Sequence, residues 1–341
     1  MKKHVNIPVF IPHLGCPNQC VFCNQRTISG VTEFHPESVI PIIEKALSTV
    51  DNDTDAEIAF FGGSFTGIDR ELMEKLLVIA NGYLKQGRVH SIRCSTRPDY
   101  INDEVLTLLK KYGVRTIELG LQSFDDSVLT ACKRGHTSYD EIEACKKIKS
   151  YGFCLGAQIM IGLPKSTAMQ EKLTAEFAVS AGADEARIYP TVVFKDTELY
   201  GLSLEGQYEP LSLEDAVSRS GAVFEILVKA KIKVLRIGLC DSENLHNNET
   251  YYAGPNHAAI GELVEGEYYY NLIKEKLSQV KLSDKTVITV LAPKGQISKI
   301  IGQSKRNKIR LLREYGISSM KVVESEEIEK YNILLKAEER K

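Results

Sequence analysis

The chain has 341 residues, 43% of them hydrophobic and 26% charged, with 43 Lys+Arg against 45 Asp+Glu. These are the proportions of an ordinary globular protein with length enough for one large domain or a domain plus a small module. No run approaches the ~18 consecutive apolar residues of a membrane span. The N-terminus, broken by Asn6, Pro8 and Pro12 and lacking a small-residue cleavage site, does not read as a signal peptide. The expected location is therefore the cytoplasm, with no membrane partner.

From residue 5 to about 240, short β-branched runs alternate with longer helical patterns. The first strand, VNIPVFI (5–11), leads into CPNQCVFC (16–23), and ESVIPIIEKALSTV follows as a helix. EIAFFG (57–62) is the second strand; it ends in FFGGSFTG (60–67) and is followed by the helix RELMEKLLVIANGYLK. HSIRCS (90–95) precedes the helix NDEVLTLLKKYG, which Gly113 is placed to cap. TIELGL (116–121), CLGAQIMI (154–161) and EARIYP (185–190) complete six strands. Continuous apolar strands separated by helices imply a parallel sheet covered on its outer face. Six such repeats fit an open, partial (β/α)6 barrel better than a doubly wound sheet. The helix EDAVSRSGAVFEILVKAKI and strand VLRIGL (234–239) read as an attached extension, and 240–257 as a long loop.

Charge is unevenly spread. Residues 281–341 carry 14 Lys+Arg and 8 Asp+Glu, a net +6, which leaves −8 on the first 280; no acid lies between Asp284 and Glu314. The shift divides the chain into a core, 1–280, and a basic α+β module, 281–341.

Eight cysteines are too few for a disulfide scaffold in a chain this long. Cys94, Cys132, Cys145, Cys154 and Cys240 are scattered and read as buried thiols. Cys16, Cys20 and Cys23 are clustered just after the first strand, at the C-terminal mouth where barrel active sites form. Three thiolates on a 4Fe-4S cube leave one iron without a protein ligand, and an open position on a metal is where a small molecule binds. The spacing alone also admits a zinc site with His13 as fourth ligand, or three thiols with no metal.

The C-x3-C-x-aromatic-C arrangement of Cys16, Cys20, Phe22 and Cys23 resembles the signature of the radical S-adenosylmethionine (SAM) enzymes. The resemblance implies that SAM chelates the fourth iron of a 4Fe-4S cluster and is cleaved to a 5′-deoxyadenosyl radical. It also implies that Phe22 lies beside the cluster, and that the backbone carbonyls of Gly62 and Gly63 hold the SAM amino group. Ser64 follows them as a further expected SAM contact, where the family often has an acid or Thr. TIELGLQSFDDSVLTACKRGHT (116–137) resembles the radical SAM domain of the Elongator catalytic subunit, a tRNA wobble-uridine modifier. By position, Gln122 and Arg134 then contact SAM, with Arg134 pairing with its carboxylate, as a guanidinium fork suits. STRPDY (95–100), QIMIGLP (158–164) and 189–211 continue the likeness, which runs from about residue 5 to 275. Two positions depart from it: Ser95 stands where Glu is usual, and Gln158 where relatives carry His or Asp near the SAM ribose. The family's C-terminal acetyltransferase domain has no counterpart in these residues, so acetyl transfer is not carried over. No side chain is singled out as the group that completes the radical reaction.

The basic stretch 287–324 is expected to form strand, helix, basic loop, helix, strand. Its order resembles a KH-type RNA-binding module, in which a GXXG loop clamps the backbone. The loop here, Gly302-Gln303-Ser304-Lys305, lacks the second glycine, while Lys305, Arg306 and Lys308 remain for phosphates. The resulting expectation is a radical SAM enzyme acting on RNA, with tRNA as the first candidate and a reducing partner such as flavodoxin or ferredoxin. A radical SAM enzyme for a small metabolite and a non-catalytic zinc/RNA-binding protein are the alternatives.

Overall fold

The computed structural model describes residues 4–12, 14–16, 19–31, 33–51, 54–239 and 249–339. Seven strands form the main sheet: β1 (His4–Phe10), β2 (Asp55–Phe61), β3 (Ser91–Thr96), β4 (Val114–Gln122), β5 (Cys154–Ile161), β6 (Glu185–Pro190) and, after a short β7 (Val193–Phe194), β8 (Lys233–Ile237). They lie in the order β1-β2-β3-β4-β5-β6-β8, and every neighbouring pair is parallel. This is an open, curled half-barrel of parallel strands, the class expected from the alternating strands and helices. The strand expected as an extension, VLRIGL, is the sheet's seventh member, paired with β6.

Crossover helices cover the outside of this sheet, as parallel topology demands. Arg70–Lys85 is capped by the Asp69 side chain, and it buries Met73, Leu76, Leu77 and Ala80 against the strands. Asp103–Lys111 starts on an Asn102 cap, carries acids in its first turn and lysines in its last, and is followed by Gly113 at φ +78°. The strand residues between them, such as Ile58, Ile92, Ile117 and Ile159, are fully buried. Among the described residues no helix is long and apolar enough to cross a membrane.

The stretch expected as one loop at 240–257 contains a strand, β9 (Tyr251–Ala253), which pairs antiparallel with β7; residues 240–248 lie outside the described residues. A long helix, Ile260–Leu277, then crosses to the C-terminal module. There β10 (Thr286–Ala292) lies between β11 (Ser319–Glu324), parallel to it, and β12 (Leu334–Glu339), antiparallel. Helices Ile297–Ile301 and Arg306–Tyr315 join β10 to β11, in the expected order; β12 adds a third strand.

The module is packed onto Ile260–Leu277. Tyr268, Tyr269 and Tyr270 are buried there, and the Tyr268 hydroxyl donates to the Tyr331 carbonyl at 2.8 Å. Asn307 Nδ2 donates to the Gly266 carbonyl at 2.8 Å. Ile288, Val290, Ile300, Leu311 and Met320 thereby join the same apolar core as the barrel helices.

Candidate active site

The loop after β1 is built before it is chemical. Val21 is buried in a small second core with Val128, Leu163, Val193 and Leu199. Its N–H donates to the Cys132 carbonyl at 3.2 Å, and its carbonyl accepts from Leu199 N–H at 2.8 Å. That anchor fixes Cys20, Phe22 and Cys23 on either side of it. Gly63, at the end of β2, lies against the same loop: a Cβ there would sit 2.4 Å from the Leu14 carbonyl oxygen and 2.7 Å from that of Ile11. The close approach that requires glycine is therefore backbone to backbone, between the cysteine loop and the β2 turn.

These loops open on a cavity of about 570 Å³ at the C-terminal ends of the strands. Cys16, Cys20, Cys23, Phe22, Gly62, Gly63, Gln122, Arg134 and Gln158 all line it, so nine of the expected contacts meet in one place, and Ser95 lines it as well. Ser64 does not. It is buried behind the glycines, its hydroxyl 2.9 Å from that of Thr96, and it acts as a strut between the turns after β2 and β3. His13, the fourth ligand of the zinc alternative, lies outside the described residues.

Each sulfur environment is specific. Arg134 Nη1 lies 3.3 Å from Cys20 Sγ, and Gln25 Nε2 lies 3.6 Å from Cys23 Sγ. Burial raises the Cys16 thiol and pushes that of Cys23 up to about 12, the neighbouring Cys20 adding to both. Burial thus favours the protonated form at Cys16 and Cys23, and a coordinated metal is what makes a thiolate favourable there. Among the described residues no three His, Cys, Asp or Glu side chains converge on a position for one metal ion. The three thiols instead line one cavity, which suits a group that offers each of them its own iron.

Next to the thiols the cavity wall is polar and incompletely satisfied. A register shift near the end of β4 accompanies Gln122, which has φ +67°. Its buried Oε1 has no partner, and neither does the buried Nη1 of Arg97, which also lines the cavity. A Cβ on Gly120 would lie 2.9 Å from Gln122 Nε2 and 3.3 Å from Arg134 Nη2, so a side chain there would push both polar ends from where they stand. Orphaned donors and acceptors beside a cleft are what a polar ligand satisfies. Together with the thiols, they fit an iron–sulfur cluster and SAM.

Beneath lies a charged belt that sequence reading did not identify. Glu118, almost wholly buried on β4, accepts from Arg93 Nη1 at 2.7 Å and, through both oxygens, from Arg187 at 2.7 and 3.0 Å. Arg93 also reaches Glu57 at 2.5 Å and Glu185 at 3.1 Å. Burial works against the Glu118 carboxylate, yet Arg187 and Arg93 outweigh it and hold its pKa below the usual range. Gln158 Nε2 donates to Glu118 at 3.1 Å. A carboxylate can only accept, so this bond leaves the Gln158 carbonyl oxygen as an acceptor for the cavity. The signal in the sequence was an arginine or glutamate at alternate positions of strands otherwise expected to be apolar.

A half-barrel whose strand ends gather three cysteines, a glycine turn and an arginine around one cleft defines a class. The family model described as "Radical SAM superfamily" matches residues 10–178, and "Radical_SAM C-terminal domain" matches 183–270. The chain belongs to the radical SAM superfamily and is an enzyme of that class, which uses SAM and an iron–sulfur cluster. Within it, the chain resembles the radical SAM domain of the Elongator catalytic subunit. It is 31% identical over 157 residues to a "tRNA uridine(34) acetyltransferase" of Methanocaldococcus jannaschii, covering 45% of this chain and 29% of that one. To the protein of that name in Methanocaldococcus infernus it is 34% identical over 125 residues, 36% of this chain and 23% of the other. The chain thus spans under a third of the length of both relatives. The archaeal Elp3 structure from M. infernus matches with a TM-score of 0.63 at 23% identity, covering 81% of this chain and 64% of that one, and shares the fold.

Proposed function

We propose that this chain is a radical SAM enzyme that modifies RNA, with tRNA as the substrate class. The observation that carries the chemistry is the convergence of Cys16, Cys20, Cys23, Gln122 and Arg134 on one cavity with an unpartnered Gln122 Oε1. Cys16, Cys20 and Cys23 would hold three irons of a 4Fe-4S cluster, with Phe22 lining the same cavity. The carbonyls of Gly62 and Gly63 would accept from the SAM amino group, Arg134 would pair with its carboxylate, and Gln122 and Gln158 would contact the rest of the molecule. With a flavodoxin- or ferredoxin-like reducing partner, such a cluster would supply the electron for reductive cleavage of SAM and with it the hydrogen-abstracting chemistry of the class. The surrounding side chains orient the substrate and exclude water.

The RNA half of the reading rests on the tRNA-modifying names of relatives that this chain only partly spans and on the basic module. Lys305 and Arg306 are exposed and Lys308 half-buried at the turn between the module's helices, where Ser304 and Lys305 are both left-handed. One observation favours a small-metabolite enzyme with a structural module instead: Arg306, Lys299 and Arg310 pair with Glu214, Glu265 and Glu267 of the core.

The test is 5′-deoxyadenosine formation by anaerobically reconstituted protein with SAM and a reductant, with and without bulk tRNA. The expected result is a rate that rises with tRNA in the wild type and is lost in Cys23→Ala. Product formation indifferent to tRNA favours the metabolite reading. A Cys16→Ala, Cys20→Ala, Cys23→Ala triple variant that retains full iron and sulfide overturns the ligand assignment.

A further inference from the structure

The last strand of the sheet brings a further cation to the cavity wall, beside the charged belt. Arg187 and Arg236 are register partners on the adjacent parallel strands β6 and β8, and both line the cavity. Side-by-side like charges on a sheet are unfavourable. Arg187 is neutralised by the bidentate Glu118 pair. Earlier on β8, Lys233 lies 3.6 Å from Glu185. Arg236 has no such counter-ion: among the described residues no carboxylate pairs with it. Its guanidinium is instead fastened from one side by backbone, with Nε 3.3 Å from the Gly238 carbonyl and 3.2 Å from that of Leu239, and Nη2 3.0 Å from Leu239. Those bonds fix the fork in place without neutralising its charge. This is the preorganisation expected of a site for an anion that arrives from outside.

The neighbouring wall narrows the class of anion. Tyr189, Pro190, Val192, Phe194 and Leu239 border the cavity near Arg236, giving an apolar and aromatic wall beside one fixed cation. A nucleotide matches that combination, its base on the apolar wall and its phosphate at the fork. The cysteines lie in the loop after β1 and Arg134 in the turn after the helix Asp126–Ala131, whereas Arg236 enters from the last strand of the sheet, away from the thiols, on the side left for the substrate.

We propose that Arg236 is the substrate-anchoring residue of this enzyme, binding a phosphodiester oxygen next to the nucleotide that enters the cavity. The assignment rests on the reading of RNA as substrate. It makes the seventh strand part of the active site and gives the enzyme a contact to the strand beside the reacting base, separate from the basic turn of the C-terminal module.

The test follows tRNA-stimulated 5′-deoxyadenosine formation against bulk tRNA concentration for the wild type, Arg236→Gln and Arg236→Lys, at several salt concentrations. With Arg236→Gln, half-saturation should need roughly tenfold more tRNA, and the slope of log affinity on log salt should fall by about 1, as for loss of one phosphate contact. The rate at saturation should change by less than about twofold, and Arg236→Lys should recover much of the affinity because the cation remains. Arg236→Gln indistinguishable from a tRNA-stimulated wild type overturns the assignment and leaves the RNA reading standing. So does an equal loss in both variants accompanied by a lower unfolding midpoint, which would make Arg236 a brace for the Gly238–Leu239 turn. A wild type that tRNA does not stimulate overturns the RNA reading, and the phosphodiester contact with it.

Discussion

Two sets of arginine–glutamate pairs organise this molecule, and they differ in what surrounds them. In the barrel, Arg93 and Arg187 meet Glu57 and Glu118 where all four side chains are less than a tenth exposed. At the C-terminal module, Arg306 meets Glu214 with 47% and 77% of their side chains exposed. The distances are nearly the same, 2.7 Å for both Arg187–Glu118 and Arg306–Glu214. The consequences are not. A buried pair holds each partner hostage, because either charge left alone faces a large desolvation cost. An exposed pair is screened by salt and contributes little, so either partner can exchange it for another ion. The inner set can therefore fix a cavity, and the outer set can give its cations to a polyanion.

The largest effect should come from breaking the inner set. Arg93→Met removes the cation shared by Glu57, Glu118 and Glu185 and should cost about 3–5 kcal/mol of stability, read as a fall in the denaturant midpoint. A loss below about 1 kcal/mol would show that the belt is no more than the outer pairs are. The wild-type belt also has a pH signature. Because the Glu118 pKa is held low, its contribution is present above the unfolded value of about 4.3 and lost as pH falls through the folded one. Arg93→Met should flatten that acid limb.

This contrast also explains what the sequence made legible. β5 and β6 were expected over the residues where they occur, because strands covered on both faces read as continuous apolar runs. The cysteine loop was legible from spacing, and the glycine turn from its composition. Arg93, Glu118 and Arg187 were visible as letters, but their mutual contacts depend on which strands are neighbours and in which register. Ser64 was placed in the cavity because it follows two glycines that line it; the turn points its hydroxyl at Thr96 instead. The helix Ile260–Leu277 had no counterpart among the expected elements: buried Val264, Gly266, Tyr268, Tyr269, Tyr270 and Ile273 surround it on several sides, so no single apolar stripe announces it. β12 is a short edge strand whose exposed positions, Leu334 apart, carry lysine and glutamate, the composition that guards an edge and hides it from a hydrophobicity pattern.

At the outer set, charge reversal should act on binding while the fold persists. Lys305→Glu with Arg306→Glu places two acids on the turn beside Lys308, and affinity for bulk tRNA should fall by roughly tenfold or more at low salt. The unfolding midpoint should hold, since both side chains are exposed and the buried contacts of Asn307 and Leu311 are untouched. Unchanged affinity in a filter-binding titration would return the module to a purely structural role.

The smallest effect is the most discriminating, because it asks whether the exposed pair is in competition with RNA. Glu214 is the first-turn acid of the helix Leu213–Lys229, and it holds Arg306 at 2.7 Å. Glu214→Gln removes the charge that Arg306 would have to leave, and it keeps a side chain of the same size. If RNA phosphate and Glu214 compete for one guanidinium, the variant should bind tRNA about twofold more tightly at low salt. The gain should shrink as added salt screens the pair. The same substitution in the Arg306→Glu background should show no gain, since the cation in dispute is absent. A gain that persists in that background would mean Glu214 acts only by general repulsion of the polyanion, and the Arg306–Glu214 pair would then have no part in recognition.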